Sequence, residues 1–320
     1  MNNVLALDPG YGNTKICIDG RVAVLQSAIS RPQKVGLAAI GMKKVAKVKT
    51  IHLNGYEFAI GPDIWHLGTP LSSSDYSAIT SPERSALAFG TLAELLPPGE
   101  HQIDLMVIGL PVNLLQDETQ AKVVLNGLKA YKGKHVFQIG KEEWILHISR
   151  LKVLAQPVGA YADWLLNPEL QMRKNGRKFE VAVLDIGMNT LDQYVIKDGK
   201  VSPRFIGGEK VGVRRLLDLL RSNGHSPEEL DAKLRSGRLR PDKNQMESWL
   251  SEVLAAIEHT CPNLRRFDTV IPTGGGAVVL GDYLRTALIS KGAAVYWAEN
   301  PITANVYGLW KWGSYDRPTR

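Results

Sequence analysis

The chain is poor in cysteine. Its 320 residues contain only Cys17 and Cys261, far apart in sequence. That argues against a disulfide framework or a cysteine metal site and fits a reducing compartment. No stretch approaches the roughly 20 apolar residues that span a bilayer, so no membrane partner is expected. The N-terminus opens on Val4-Leu5-Ala6-Leu7. It lacks the basic segment, longer apolar core and small-residue cleavage site of a secretory leader. A cytoplasmic location is the expectation. Helix-turn-helix and zinc spacings are also missing, which leaves a direct DNA-binding module supported by charge alone.

The length is too great for one ordinary core and suits two domains. Apolar residues make up 44% and charged residues 22%, the balance of an ordinary globular protein. Net charge is +7. The basic residues are dispersed over 43–49, 173–178 and 235–243, which fits solvated loops and helix faces better than a nucleic-acid surface.

Asn3–Asp8 reads as a buried strand, Pro9–Asn13 as a turn, Lys15–Asp19 as a second strand, and Val22–Leu25 as a third. Residues 31 to about 80 hold strand candidates (Val45–Leu53, Tyr56–Ile60) and a serine-rich stretch, Ser72–Ser77, and read as a small inserted subdomain. Ser81 caps a helix running to about Leu96, with Pro82 at its first position. Then come a strand at Ile103–Leu110, a helix over Asn113–Tyr131, a hairpin (Lys134–Ile139, Glu143–Ile148) and a strand at Leu151–Ala155. A helix follows from Pro157. The opening pattern then restarts, with strands at Phe179–Asp185, Leu191–Ile196 and Val201–Phe205. The two meanders lie about 177 residues apart (185 minus 8), a weak internal repeat best explained by a duplicated α/β domain. Helices at Val213–Ser222, Pro227–Leu234 and Gln245–His259 precede a strand at Thr269–Ile271 and a helix to about Ile289. A last strand, Ala293–Trp297, and a terminal helix, Pro301–Trp312, complete the reading.

Three loops carry chemistry. The first is Asp8-Pro9-Gly10-Tyr11-Gly12-Asn13-Thr14-Lys15. Its glycines allow backbone N–H groups close to phosphate oxygens, Thr14 can donate a hydroxyl, Lys15 can meet a β- or γ-phosphate, and Asp8 can hold Mg²⁺ through water. The spacing is not that of a Walker A loop, and a strand rather than a helix follows, so it is not a dinucleotide fingerprint. Alone, it reads equally as a plain hairpin. The second loop, Asp185-Ile186-Gly187-Met188-Asn189-Thr190-Leu191-Asp192, repeats the arrangement. An acid ends a buried strand, and a glycine turn, a hydroxyl and a second acid follow at fixed offsets. Two such loops can clamp a triphosphate, with Asp8 and Asp185 converging on one Mg²⁺. The third, Thr273-Gly274-Gly275-Gly276-Ala277, leads a strand into a helix and permits close approach of a base or phosphate. Gln156, at a strand–helix junction between the halves, can orient a water for attack on a γ-phosphate.

Taken in order, these segments resemble the actin–Hsp70–sugar kinase superfamily: phosphate-1 (Asp8–Lys15), connect-1 (Leu154–Tyr161), phosphate-2 (Asp185–Asp192), adenosine (Pro272–Ala277) and connect-2 (Asn300–Gly308). The length leaves no room for a chaperone's peptide-binding domain. The opening motif and the Gln156–Ala160 junction are most similar to ParM/StbA-like plasmid-segregation actins and related archaeal actin-like proteins.

That resemblance implies two related actin-like (RNase H-like) α/β domains. Each would have a mixed five-stranded sheet flanked by helices, with the nucleotide cleft between them. Domain I would be 1–155, with the insert at about 31–80 and a closing helix at 301–320; domain II would be 156–300. It implies ATP and Mg²⁺, with Asp8, Asp185 and Asp192 around the metal and Gln156 positioning water. Gly10, Tyr11, Gly12, Asn13, Thr14, Lys15, Gly187, Met188, Asn189 and Thr190 would surround phosphate. Gly212, Gly274, Gly275 and Gly276 would lie against the nucleotide, with Lys233 on the helix near Leu230–Leu234 where the base is read. It implies an ATPase that forms head-to-tail filaments and moves plasmid DNA through an adaptor protein on centromere-like DNA. A non-polymerising kinase or regulatory ATP-binding protein of the same fold is the alternative.

Overall fold

The computed structural model describes residues 3–32, 48–61, 64, 76–221 and 225–316. The opening strand, Val4–Pro9, is buried along its whole length, as a central strand covered on both faces must be. It pairs antiparallel with Asn13–Ile18, which pairs with Arg21–Gln26; on its other side lies Leu105–Leu110, parallel, and beyond that Leu151–Ala155. The second half repeats the plan. Val181–Ile186, again buried throughout, lies between antiparallel Leu191–Lys197 and parallel Thr269–Thr273.

The register aligns the two halves residue by residue. Asp8 stands opposite Lys15, and Asp185 stands opposite Asp192, each seven positions on. The duplicated hairpin therefore presents a cation in one copy where it presents an acid in the other.

A third sheet has six strands, ordered Ile29–Ser30, Tyr56–Ile60, Lys49–Leu53, Gly133–Ile139, Glu142–Ile148 and Gly99–Ile103. The expected insert at 31–80 is thus not self-contained. Its two long strands are too few to bury an apolar face alone, and they complete a sheet with strands from 99–148. The start of the Val45–Leu53 candidate and residues 72–75 of the Ser72–Ser77 stretch lie outside the described residues.

Several boundaries differ from the sequence reading for local reasons. The helix expected over Asn113–Tyr131 is broken at Asp117, whose carboxylate caps a second helix, Glu118–Leu128, by accepting from the Thr119 and Gln120 N–H groups. The third strand of the second meander stops at Val201, because Pro203 removes a ladder donor and opens a 3₁₀ turn. Gly207–Glu209 takes the edge instead. Ala293–Trp297 supplies only a single bridge, Val295 to Val270.

Two helices join the halves. Gln156–Leu165 and Ala304–Tyr315 cross backbone to backbone at two glycines. A Cβ on Gly308 would fall 1.7 Å from the Gly159 carbonyl oxygen, and one on Gly159 would fall 2.0 Å from that of Asn305. Beside the crossing, buried Lys311 donates to Asp163 Oδ1 (2.7 Å) and the Leu166 carbonyl (2.8 Å). Among the described residues, no helix is long and apolar enough to cross a membrane.

Candidate functional site

A cleft of about 1620 Å³ separates the two hairpins, and residues of both expected phosphate loops line it. In the first loop, Ser27 acts as a strut. Its hydroxyl donates to the Gly10 carbonyl (2.7 Å) and its N–H to the Gly12 carbonyl (3.1 Å). Arg84, largely buried on helix Pro82–Leu92, also donates to Gly10 (3.0 Å) and lies over the Tyr11 ring. With these carbonyls held from outside, the loop cannot collapse on itself. Gly10 is needed at the turn, since a Cβ there would stand 2.7 Å from the Asn13 carbonyl oxygen.

The second loop is held by the start of helix Val213–Leu219. The Gly187, Met188 and Asn189 carbonyls accept from the Val213 (3.0 Å), Arg214 (2.8 Å) and Gly212 (3.3 Å) N–H groups. In a trans peptide the next N–H points the opposite way. The N–H groups of Met188, Asn189 and Thr190 are therefore turned away from that helix, and all three residues line the cleft. Successive N–H groups of one orientation make an anion cradle. The loops meet across the cleft, Gly12 lying against the Met188 side chain.

Three buried carboxylates sit behind the loops. Asp8 accepts from Lys15 Nζ (2.8 Å) and from Gln156 Nε2 (2.7 Å). Asp185 accepts from Asn305 Nδ2 (2.7 Å). Burial pushes its pKa up to about 6; Lys15 and the Asn305 bond oppose that rise, and the Asp8 charge adds to it. Burial, reinforced by Asp185, raises Asp192 to about 7, against bonds from the Val112 backbone and Thr190. Asp192 Oδ1 is buried and has no partner among the described residues.

The amides follow the repeat. Gln156 begins one connecting helix, which packs on the second sheet, and Asn305 lies one residue into the other, which packs on the first, and each bonds the carboxylate of the opposite half. Asn305 was not singled out from the sequence. The signal was present: an amide at the start of the second connecting segment, matching Gln156 in the first.

The remaining candidates divide. Lys15, Gly274 and Gly275 line the cleft with the loops. Gly274 has φ +88°, and a Cβ there would stand 2.6 Å from Asp185 Oδ1, so the position requires glycine. Four others stand back. Thr14 is buried, and its hydroxyl faces Ser27 Oγ (3.0 Å) behind the loop. Gly212 lies beneath the second loop, where a Cβ would be 2.7 Å from its backbone. Gly276 packs on Ile186, where a Cβ would be 2.2 Å from Cγ2. Lys233 contacts His225 (2.9 Å) and does not line the cleft. Asp231 and Arg235 of the same helix do.

Residues 6–159 match the family model for the N-terminal domain of actin-like proteins. Among solved structures, apo psk41 ParM is 20% identical, with 98% of this chain and 97% of that chain covered and a TM-score of 0.73. Ta0583, an archaeal actin homologue solved with ADP, is 19% identical, with 98% and 99% covered and a TM-score of 0.74. The chain has the actin-like fold. A subunit of a 15-stranded ParM filament from Clostridium botulinum shares it at 18% identity, with 98% and 99% covered and a TM-score of 0.71. No curated protein matches the sequence.

The actin-like cleft fits a metal–nucleotide ligand better than a metal alone. Among the described residues no cluster of three or more His, Cys, Asp or Glu side chains is placed to hold an ion. Mg²⁺ ordinarily uses one or two carboxylates with water and substrate phosphates. Asp8 and Asp185 behind a cradle of N–H groups, with the unpartnered Asp192 Oδ1 beside them, are that kind of partial set.

Proposed function

We propose that the chain is an actin-like ATPase that binds ATP with Mg²⁺ in this cleft and assembles into nucleotide-dependent filaments. The observation that carries the reading is the paired arrangement of carboxylate, glycine turn and connecting-helix amide: Asp8 with Gln156, and Asp185 with Asn305. One such set is an ordinary hairpin; two facing sets make a polyphosphate site.

The residues divide the work. The N–H groups of the second loop, with Lys15, bind and orient the phosphates. Asp8, Asp185 and Asp192 hold Mg²⁺ directly or through water. Bound Mg²⁺ would supply neutralisation of phosphate charge. Gln156 is fixed through Nε2, so its Oε1 is left to accept a hydrogen bond from the attacking water and point it at phosphate. Nucleotide spanning both loops would hold the halves together across the cleft. Assembly is supported by the filament among the fold's neighbours. Head-to-tail contacts that do not close give an open filament.

Plasmid segregation through an adaptor on centromere-like DNA is the cellular role we infer, from the ParM neighbours. The net charge of +7 would help filaments meet adaptor–DNA complexes. Co-sedimentation with adaptor-loaded DNA should weaken as salt rises; no salt dependence would sink that part. For the enzyme itself, Asp185→Ala should abolish Mg²⁺-dependent phosphate release, and retained turnover would overturn the metal assignment.

A further inference from the structure

Helix Pro227–Arg235 packs in the second half, yet its last residue reaches the first loop. Arg235 donates from Nη1 to Asn13 Oδ1 (2.8 Å) and from Nη2 to the Gly12 carbonyl (3.4 Å). Its Nε donates to Asp231 (2.7 Å), one turn earlier on the helix. Asp231 is buried, and Gln26 from the first half donates to the same carboxylate oxygen (3.3 Å). Gln26, Asp231, Arg235, Gly12 and Asn13 all line the cleft.

The guanidinium is oriented. A carboxylate fixes Nε, so both Nη groups face the loop. The acceptors it meets there are neutral, and the contact to Gly12 is long. A guanidinium fork bonds phosphate oxygens more strongly than it bonds an amide or a peptide carbonyl. A cation aimed at a phosphate loop by a carboxylate on its own helix, and bonded to the loop itself only through neutral acceptors, is poised to exchange those acceptors.

We propose that Arg235 is a ligand of the nucleotide's polyphosphate, supplied from the second half and held in position by Asp231. On nucleotide entry it exchanges Asn13 and Gly12 for phosphate oxygens, and the nucleotide then links helix Pro227–Arg235 to the first loop. This rests on the nucleotide reading of the cleft.

The test is competition by ATP, ADP and AMP, with Mg²⁺, against a fluorescent ATP analogue. It compares wild type, Arg235→Gln, Arg235→Lys and Asp231→Asn, with a thermal melt of each. The guanine series replaces the adenine series if the wild type prefers it. Arg235→Gln should weaken ATP and ADP by about tenfold or more and AMP by less than about twofold. Arg235→Lys should lose less, and Asp231→Asn should shift in the same direction as Arg235→Gln. Equal weakening of all three nucleotides would make Arg235 a clasp between the halves and overturn the assignment. Unchanged ATP affinity in Arg235→Gln would overturn it too, while wild-type binding left the cleft reading standing. No binding by the wild type would sink both. If Arg235→Gln does not fold, Arg235→Lys is judged by the same pattern across the three nucleotides.

Discussion

Asp185 and Asp192 are two acids that folding makes harder to ionise, and this has a pH consequence. With folded pKa values of about 6 and about 7, both lie above the ordinary aspartate value of about 4. Between about pH 4 and pH 7 the folded state therefore binds more protons than the unfolded state, and stability falls as pH rises. Below that window both states are protonated and the penalty vanishes; above it the penalty is complete. Nucleotide-free protein should melt at lower temperature at pH 8 than at pH 5, and Asp185→Asn should flatten that slope. Asn305 acts on the same acid. Asn305→Ala removes a donor that stabilises the anion, and loss of such an outer partner commonly costs about 10- to 100-fold in metal-dependent activity. Steady-state phosphate release against Mg²⁺ concentration would measure it; activity within twofold of wild type would contradict the role. The loops were readable from sequence because the seven-residue offset between Asp8 and Lys15 recurs between Asp185 and Asp192. Asn305, Arg84 and Arg235 were not, because they reach their partners across 120, 74 and 222 positions. Positions two apart on a helix are about 200° apart, so Lys233 faces away where Asp231 and Arg235 of the same helix line the cleft.

The connecting helices carry the most exacting packing. Gly308→Ala drives a methyl into the Gly159 carbonyl, and both partners are backbone. It should cost at least about 3 kcal/mol, the upper end for overpacking, because no side chain can move aside. Urea denaturation would measure it, and a loss under about 1 kcal/mol would mean the crossing yields freely. Gly275→Ala is the contrast: a Cβ there meets nothing within 4 Å, so the fold should tolerate it and only ligand affinity should change. Lys311→Met strands the partly buried Asp163 without its cation and should destabilise by about 3 kcal/mol, the lower end for breaking a buried pair. At this scale the period-2 and period-3.6 patterns placed the central strands and long helices. They failed where one residue overrode the pattern, as Asp117 did by capping and Pro203 by removing a donor. The six-stranded sheet was hidden for a different reason. Its register joins Lys49–Leu53 to Gly133–Ile139, and such distant pairing leaves no local mark.

As a whole molecule, the chain is two copies of one hairpin plan facing across a cleft, joined where two helices touch at glycine. In the proposed function, what fills the cleft would set how the halves sit, and hence the outer surfaces a second copy would meet. The fold itself was legible because duplicated motifs occur in order along nearly the whole length; assembly entered only through the family resemblance, because contacts between copies leave no periodicity in one chain. The most direct test of the central claim is high-speed sedimentation of purified protein with Mg²⁺ and ATP, with Mg²⁺ and ADP, and without nucleotide. The account expects most of the protein in the pellet with ATP and in the supernatant without nucleotide. The same partition under all three conditions would contradict it.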